Sequence, residues 1–278
     1  MPPKKKKRSL KERRRRVRLF FFALFALMAL ALIVAAVIGL RRPEVTIQSV
    51  EVSGAHYARS DLVKRAAEDL LAGDYVFLIP RANTFFYPHS RIVRDIKSLF
   101  KPVRDVRVHR SGFTALRIDI TERVPAALWC LPAEAGLSES SKDCFLVDKS
   151  GFVFKIAEGI ASSSPFVRYE GRLAGAPDGS VLGNTYLPDQ FGAFRIFMDK
   201  LSLATSRTVN RVSVDEYDDV FVFFKESGEV RFTKEGMRES LLDNIASVFA
   251  SDRFRSGDAL EYADFRFGNK IYVKFEGE

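Results

Sequence analysis

The chain of 278 residues is poor in the side chains that carry metal or nucleophilic chemistry: two cysteines, three histidines and one tryptophan. Cys130 and Cys144 have a spacing that fits no zinc site, and no histidine lies near them in the sequence. His56, His89 and His109 form no H-x-x-x-H or similar pair and read as ordinary polar side chains. No G-x-S-x-G elbow occurs, and the stretch 171–183, though it contains glycines, lacks the Lys-Ser/Thr of a phosphate loop. The acidic run Asp215-Glu216-Tyr217-Asp218-Asp219 invites a calcium reading. It lacks the glycine and terminal glutamate of an EF-hand loop, and a solvated turn between strands fits it better. These absences predict a protein that is not an enzyme, with no catalytic residues, cofactor, metal or small-molecule substrate.

Charge is absent from residues 19–40, LFFFALFALMALALIVAAVIGL, a run of 22 residues without one strongly polar side chain. As a helix it is about 33 Å long, enough for a hydrocarbon core of about 30 Å. A core helix would show a polar face, and a signal peptide has a shorter apolar region and a small-residue cleavage site. The reading is a retained transmembrane helix. Residues 1–18 hold eleven Lys/Arg and one acid, a net +10, whereas the whole chain is +9; residues 41–278 are therefore near neutral, at −1. Such a tail resembles a nucleic-acid arm, but beside a span it reads as a positive-inside determinant. It predicts a disordered cytoplasmic N-terminus, an attraction to anionic lipid, no nucleic-acid role and exported C-terminal domains in a single-pass type II arrangement. On the exported side an even cysteine count permits a disulfide between Cys130 and Cys144, worth about 3 kcal/mol by chain entropy; two free buried thiols are the alternative.

Residues 45–122 predict a first domain of order β-α-α-β-β. Thr46 to Ser53 alternates imperfectly as a strand; Ser60 suits a helix N-cap, and Leu62, Val63, Ala66, Ala67, Leu70 and Leu71 form one face stopped by Gly73. An aromatic-rich link over 74–88 precedes a second helix over 89–100, which ends before Pro102. Strands over 103–110 and 115–122 follow, joined by Ser111-Gly112-Phe113.

Residues 123–278 predict a mainly antiparallel β domain with flanking helices. Residues 145–147 and 152–154 flank Asp148-Lys149-Ser150-Gly151 as a hairpin, and 126–130 pairs with it. The stretch 161–183 reads as loop, 188–204 as a helix, and 209–214, 220–225 and 229–233 as strands. A helix over 234–251 follows, then a closing hairpin over 262–267 and 270–275 about Gly268-Asn269. The expected fold class is thus α+β: a transmembrane helix, a β-α-α-β-β domain and a β domain.

The order of these parts, with Val52-Ser53-Gly54, Pro102, Val106, Val108, Leu116, Ile118, Ile120 and then Glu122-Arg123-Val124-Pro125 running into Trp129, resembles the FtsQ/DivIB family of bacterial cell division proteins. Gly54, Pro102, Glu122, Arg123 and Pro125 carry the motif. The turn at Ser111-Gly112-Phe113 departs from it, since many members have a proline there. The resemblance implies that residues 45–122 form a POTRA domain. It also implies that the chain is a non-enzymatic divisome scaffold of the cytoplasmic membrane, working at the septum and linking early and late division proteins. Its partners would be bitopic coiled-coil proteins of the FtsB and FtsL kind, together with other divisome membrane proteins. The implied binding edge is the closing hairpin, with Phe265, Phe267, Lys270, Ile271, Tyr272, Val273, Lys274 and Phe275, of which Phe267, Tyr272 and Phe275 are expected to matter most. Strand addition at a sheet edge is the physical mode. The bland reading of the same strand is one that merely ends the sheet. The rival functions are a POTRA-bearing envelope export or assembly factor, and a secreted hydrolase on a membrane stalk.

Overall fold

A computed structural model describes residues 10–131, 144–158, 164–175, 180–255, 259–268 and 270–277. Outside them lie residues 1–9 of the basic tail, 132–143 between the cysteines, 159–163, 176–179, 256–258, 269 and 278. The chain divides into two compact units, Met1–Glu122 and Arg123–Glu278.

The first unit opens with helix α1 (Leu10–Leu40), whose stretch Arg14–Leu40 is long and apolar enough to cross a membrane. The helix includes residues 10–18, which were expected to be disordered. Leu, Lys, Glu and Arg are good helix formers, and a helix already nucleated by the apolar run extends into them at little cost. A 3₁₀ turn at Pro43–Val45 leads to β1 (Ser49–Ser53), which starts later than expected because the Ile47 N–H is given to Ala82 O instead of a sheet neighbour. Helix α2 (Ser60–Leu71) has Ser60 as its first residue and not its cap; Arg59 precedes it without a side-chain cap bond. A small hairpin, β2 (Asp74–Tyr75) and β3 (Ile79–Pro80), occupies the expected irregular link. Helix α3 (His89–Leu99), β4 (Val103–Ser111) and β5 (Ala115–Glu122) complete the unit.

Its main sheet has the order β1-β5-β4, with β1 parallel and β4 antiparallel to β5. Alternation places Leu116, Ile118 and Ile120 on one face, where they pack with Val63, Ala67, Ile92 and Ile96 of the two helices. Arg117 and Asp119 lie on the opposite, polar face. At Gly54 (φ +79°) an added Cβ would stand 2.2 Å from Ile120 O, an approach only glycine allows. Gly54→Ala is expected to cost at least about 2 kcal/mol, read as a lower denaturant midpoint of the full chain in detergent.

The second unit contains β6 (Pro125–Cys130), β7 (Cys144–Asp148), β8 (Val153–Ile156), β9 (Arg168–Glu170), β10 (Leu173–Ala174) and β11 (Thr185–Tyr186). Then come α4 (Phe191–Thr205), β12 (Val209–Val214), β13 (Asp219–Phe224) and β14 (Glu229–Thr233). A 3₁₀ turn (Lys234–Gly236), α5 (Glu239–Phe249), α6 (Asp252–Arg255), β15 (Leu260–Phe267) and β16 (Lys270–Phe275) close the chain. One nine-stranded mixed sheet runs β16-β15-β14-β13-β12-β9-β6-β7-β8. Five of its pairings are antiparallel; β12/β9, β14/β15 and β6/β9 are parallel.

Two sequence expectations change here. Arg168–Glu170 lies in a stretch read as loop, yet it forms the interior strand β9, with Tyr169 buried among Tyr186, Phe191 and Phe194. The helix expected over 234–251 is divided at Gly236, where Thr233 Oγ1 accepts the Gly236 N–H and closes the 3₁₀ turn. In α4, Ile196 and Leu203 are exposed, while Met198 joins Phe191, Phe194, Phe197 and Leu201 in the core.

Candidate partner-binding edge

Strand β16 is the last strand of the sheet and pairs with β15 alone among the described residues. Just past it the Glu276 N–H is donated to Ala259 O, on the β15 side. Backbone groups alternate sides along a strand, so those of Ile271 and Val273 point away from β15. At the opposite end of the sheet the first residue of the edge strand is covered. Val153 of β8 donates its N–H to Asn184 O (2.9 Å) and its carbonyl accepts the Gly183 N–H (2.8 Å). Among the described residues β16 pairs on one side only, so its other side offers a row of backbone groups.

The side chains of β16 divide by parity. Ile271, Val273 and Phe275 face α5 and α6, lining with Val248, Ser251 and Phe254 a groove of about 410 Å³. On the other face Tyr272 meets Phe267 edge to face, with centroids 5.2 Å apart, and both rings are about half exposed. Lys274 bonds Glu261 across the strand pair at 2.6 Å, and the carboxylate raises the lysine's pKa. The hairpin is anchored inward by Arg266, which reaches both Asp264 and Asp219 at 2.6 Å. Burial opposes ionisation of Asp264, but the bonds from Arg266 outweigh it and hold its carboxyl below the usual range.

The expected contact residues therefore separate into two groups. Phe267, Lys270, Ile271 and Tyr272 are exposed, and Val273 and Lys274 half-buried, at the edge. Phe265 and Phe275 are buried: Phe265 joins the central core, and Phe275 packs on Phe254 (5.2 Å) beneath the Arg253 guanidinium (4.5 Å). Their expected role as contacts gives way to one of support, because each points to the helix-covered face of the sheet. The groove wall from α5 and α6 was not foreseen as part of the site.

The motif residues acquire physical roles within their own units. The Glu122 carboxylate accepts the backbone N–H groups of His56, Tyr57 and Ala58 at 2.7–2.9 Å, tying the loop after β1 to the end of β5. Pro102 lies in the turn between α3 and β4. Arg123 pairs with Asp148 Oδ2 at 2.5 Å and stacks over the Phe152 ring at 3.8 Å, while Pro125 opens β6. Cys130 and Cys144 face each other in the β6/β7 register and are joined as a disulfide.

The side chains weighed for chemistry are engaged in structure. Asp215 accepts the N–H groups of Tyr217 and Asp219, and Asp218 and Asp219 pair with Lys234 and Arg266, which makes the acidic run a bonded turn. His89 Nε2 lies 3.2 Å from Val108 O, and His109 sits beside Asp119. One Ser-Xaa-Xaa-Lys spacing occurs, from Ser98 to Lys101. It straddles the end of α3, where Ser98 Oγ donates back to Asp95 O, as a helix-terminal serine does. No group of three or more His, Cys, Asp or Glu suited to a metal ion is found among the described residues. Compared with known proteins, the chain matches no protein-family profile and no curated protein.

Proposed function

We propose that this chain is a single-span membrane scaffold of bacterial cell division, of the FtsQ/DivIB type, which binds other membrane division proteins through its exported units. The observation that carries the reading is the β16 edge, paired on one side only among the described residues, beside the groove of α5 and α6. A partner segment adding as a further strand would bond the outward backbone groups of Ile271 and Val273. Its alternate side chains would meet Tyr272 on one face and the α5/α6 groove on the other. The order β1-α2-α3-β4-β5 of the first unit, with the small β2–β3 hairpin inserted between its helices, supports reading it as a POTRA domain, and the long apolar helix behind a basic tail supports a cytoplasmic N-terminus and exported C-terminal units. The partner class is the bitopic coiled-coil pair of the FtsB and FtsL kind. The work is recognition, with no chemical step and no cofactor.

The test is co-purification of the full chain with such a coiled-coil pair from the same organism. Wild type is expected to retain the pair, and Tyr272→Asp to lose it with an unchanged unfolding midpoint, since the ring is half exposed. Equal retention by a folded Tyr272→Asp chain sinks the reading.

A further inference from the structure

The apolar helix ends at Leu40, and the next residue reaches back into the folded part of its own unit. Arg41 Nη2 donates to Asp74 Oδ2 (2.7 Å) and Phe77 O (2.7 Å), and its Nε donates to Leu78 O (3.0 Å). All three acceptors lie in the β2–β3 hairpin. Asn83 Nδ2 also donates to Leu40 O (2.8 Å), satisfying one of the carbonyls that a helix end leaves without a partner. The hairpin is thereby clamped beside the end of α1.

Its tip is unusual in two ways. Val76 and Phe77 are 82% and 90% exposed, with Leu78 and Tyr75 beside them, so a run of apolar side chains projects away from the unit's core. Val76 and Phe77 also both have positive φ, 47° and 61°, a region that β-branched and bulky residues avoid. A soluble loop of this shape would be expected to carry glycine or asparagine there. Basic side chains flank the tip: Arg41, and Arg81 over the Tyr75 ring at 5.9 Å. An apolar tip with aromatic and cationic neighbours is the pattern of the bilayer interface, where rings sit at headgroup depth and guanidinium groups meet phosphate.

We infer that the tip Val76-Phe77-Leu78 is a second membrane contact, inserted into the interfacial layer of the leaflet from which α1 emerges and held there by Arg41. The inference rests on reading α1 as a span: 22 apolar residues bring Leu40 to the edge of the hydrocarbon, and the clamp then fixes the tip at that depth. The bilayer is the occupant argued for, because the patch is continuous with the apolar helix through direct hydrogen bonds. The consequence is a unit whose tilt on the membrane is set at two points instead of one.

Depth measurement by spin labelling tests this. Both native cysteines are joined as a disulfide, so single cysteines can be labelled in the full chain. Phe77→Cys, Ile33→Cys within the span and Arg65→Cys on α2 are compared in vesicles of phosphatidylethanolamine and phosphatidylglycerol. The label at position 77 is expected to be several-fold less accessible to a water-soluble nickel chelate than the one at 65, and more accessible to oxygen. Equal chelate accessibility at 77 and 65, with the label at 33 protected, overturns the inference and leaves the span standing. Chelate access at 33 removes the span and the inference together.

Discussion

Phe275→Asp is expected to destabilise the second unit by at least about 4 kcal/mol, whereas Tyr272→Asp, on the same strand, leaves its stability within about 0.5 kcal/mol. The difference is one of side. Phe275 is 3% exposed and packs on Phe254, which in turn stacks on Phe249 at 4.5 Å. A carboxylate there meets no built set of hydrogen-bond donors to satisfy it. Arg253, already above the ring, is exposed and gives only a screened partner. Tyr272 points to the opposite face, where water already covers half its surface. Chemical denaturation of the two variants in the full chain measures this directly. A Phe275→Asp chain as stable as wild type would mean that α6 does not cover the strand. The contrast also decides how the edge should be probed, because lost partner capture by Phe275→Asp would report unfolding and not recognition.

The second large effect is expected at Arg123. Asp148 is almost fully buried, and it accepts from Arg123 Nη1, from the Ser150 N–H and Oγ–H and from the Phe152 N–H. Burial opposes its ionisation, but these bonds prevail and hold its carboxyl below the usual range. Arg123→Ala removes the only cation in that set and the guanidinium over Phe152, at an expected cost of about 3 kcal/mol. The sign with pH follows from the depressed pKa. The stabilisation from Asp148 ionisation is fully present above its unfolded value near 3.8 and is lost as pH falls through the lower folded value. In Arg123→Ala the carboxyl loses its cation, so its folded pKa rises. The stability gap between wild type and variant is therefore expected to be widest at neutral pH and to narrow below about pH 4. Urea titrations at pH 7 and pH 3.5 check it; a gap of constant size would assign the whole effect to packing on Phe152.

Some of this architecture is written locally. An all-round apolar run that satisfies its own backbone groups forms a helix whatever surrounds it, so α1 was legible without tertiary information. Likewise the stripes of α2 and α3 and the period-two alternation of β4 and β5 each encode a face to bury, and the hairpin β15/β16 needs only two strands and a glycine with positive φ. Alternation alone places Ile271 and Tyr272 on opposite faces of the strand; that the strand is a binding edge came from the family resemblance.

Other features depend on chain segments far apart in sequence. Strand β9 is three residues long among glycines, serines and prolines, too short to show a period. It exists because β6 and β12 flank it in parallel and because Tyr169 fills the space between Phe191 and Phe194. The cover on the first residue of β8 was decided by residues 183 and 184 folding over it. Whether Phe275 is a contact or a support was decided by α6 lying across it. The positive φ of Val76 and Phe77 runs against local preference and persists beside three hydrogen bonds from a residue more than thirty positions earlier. Periodicity and propensity act within a few residues and so could be read directly. Pairing partners, edge closure and strain are set by distant neighbours, and only the folded chain brings those together.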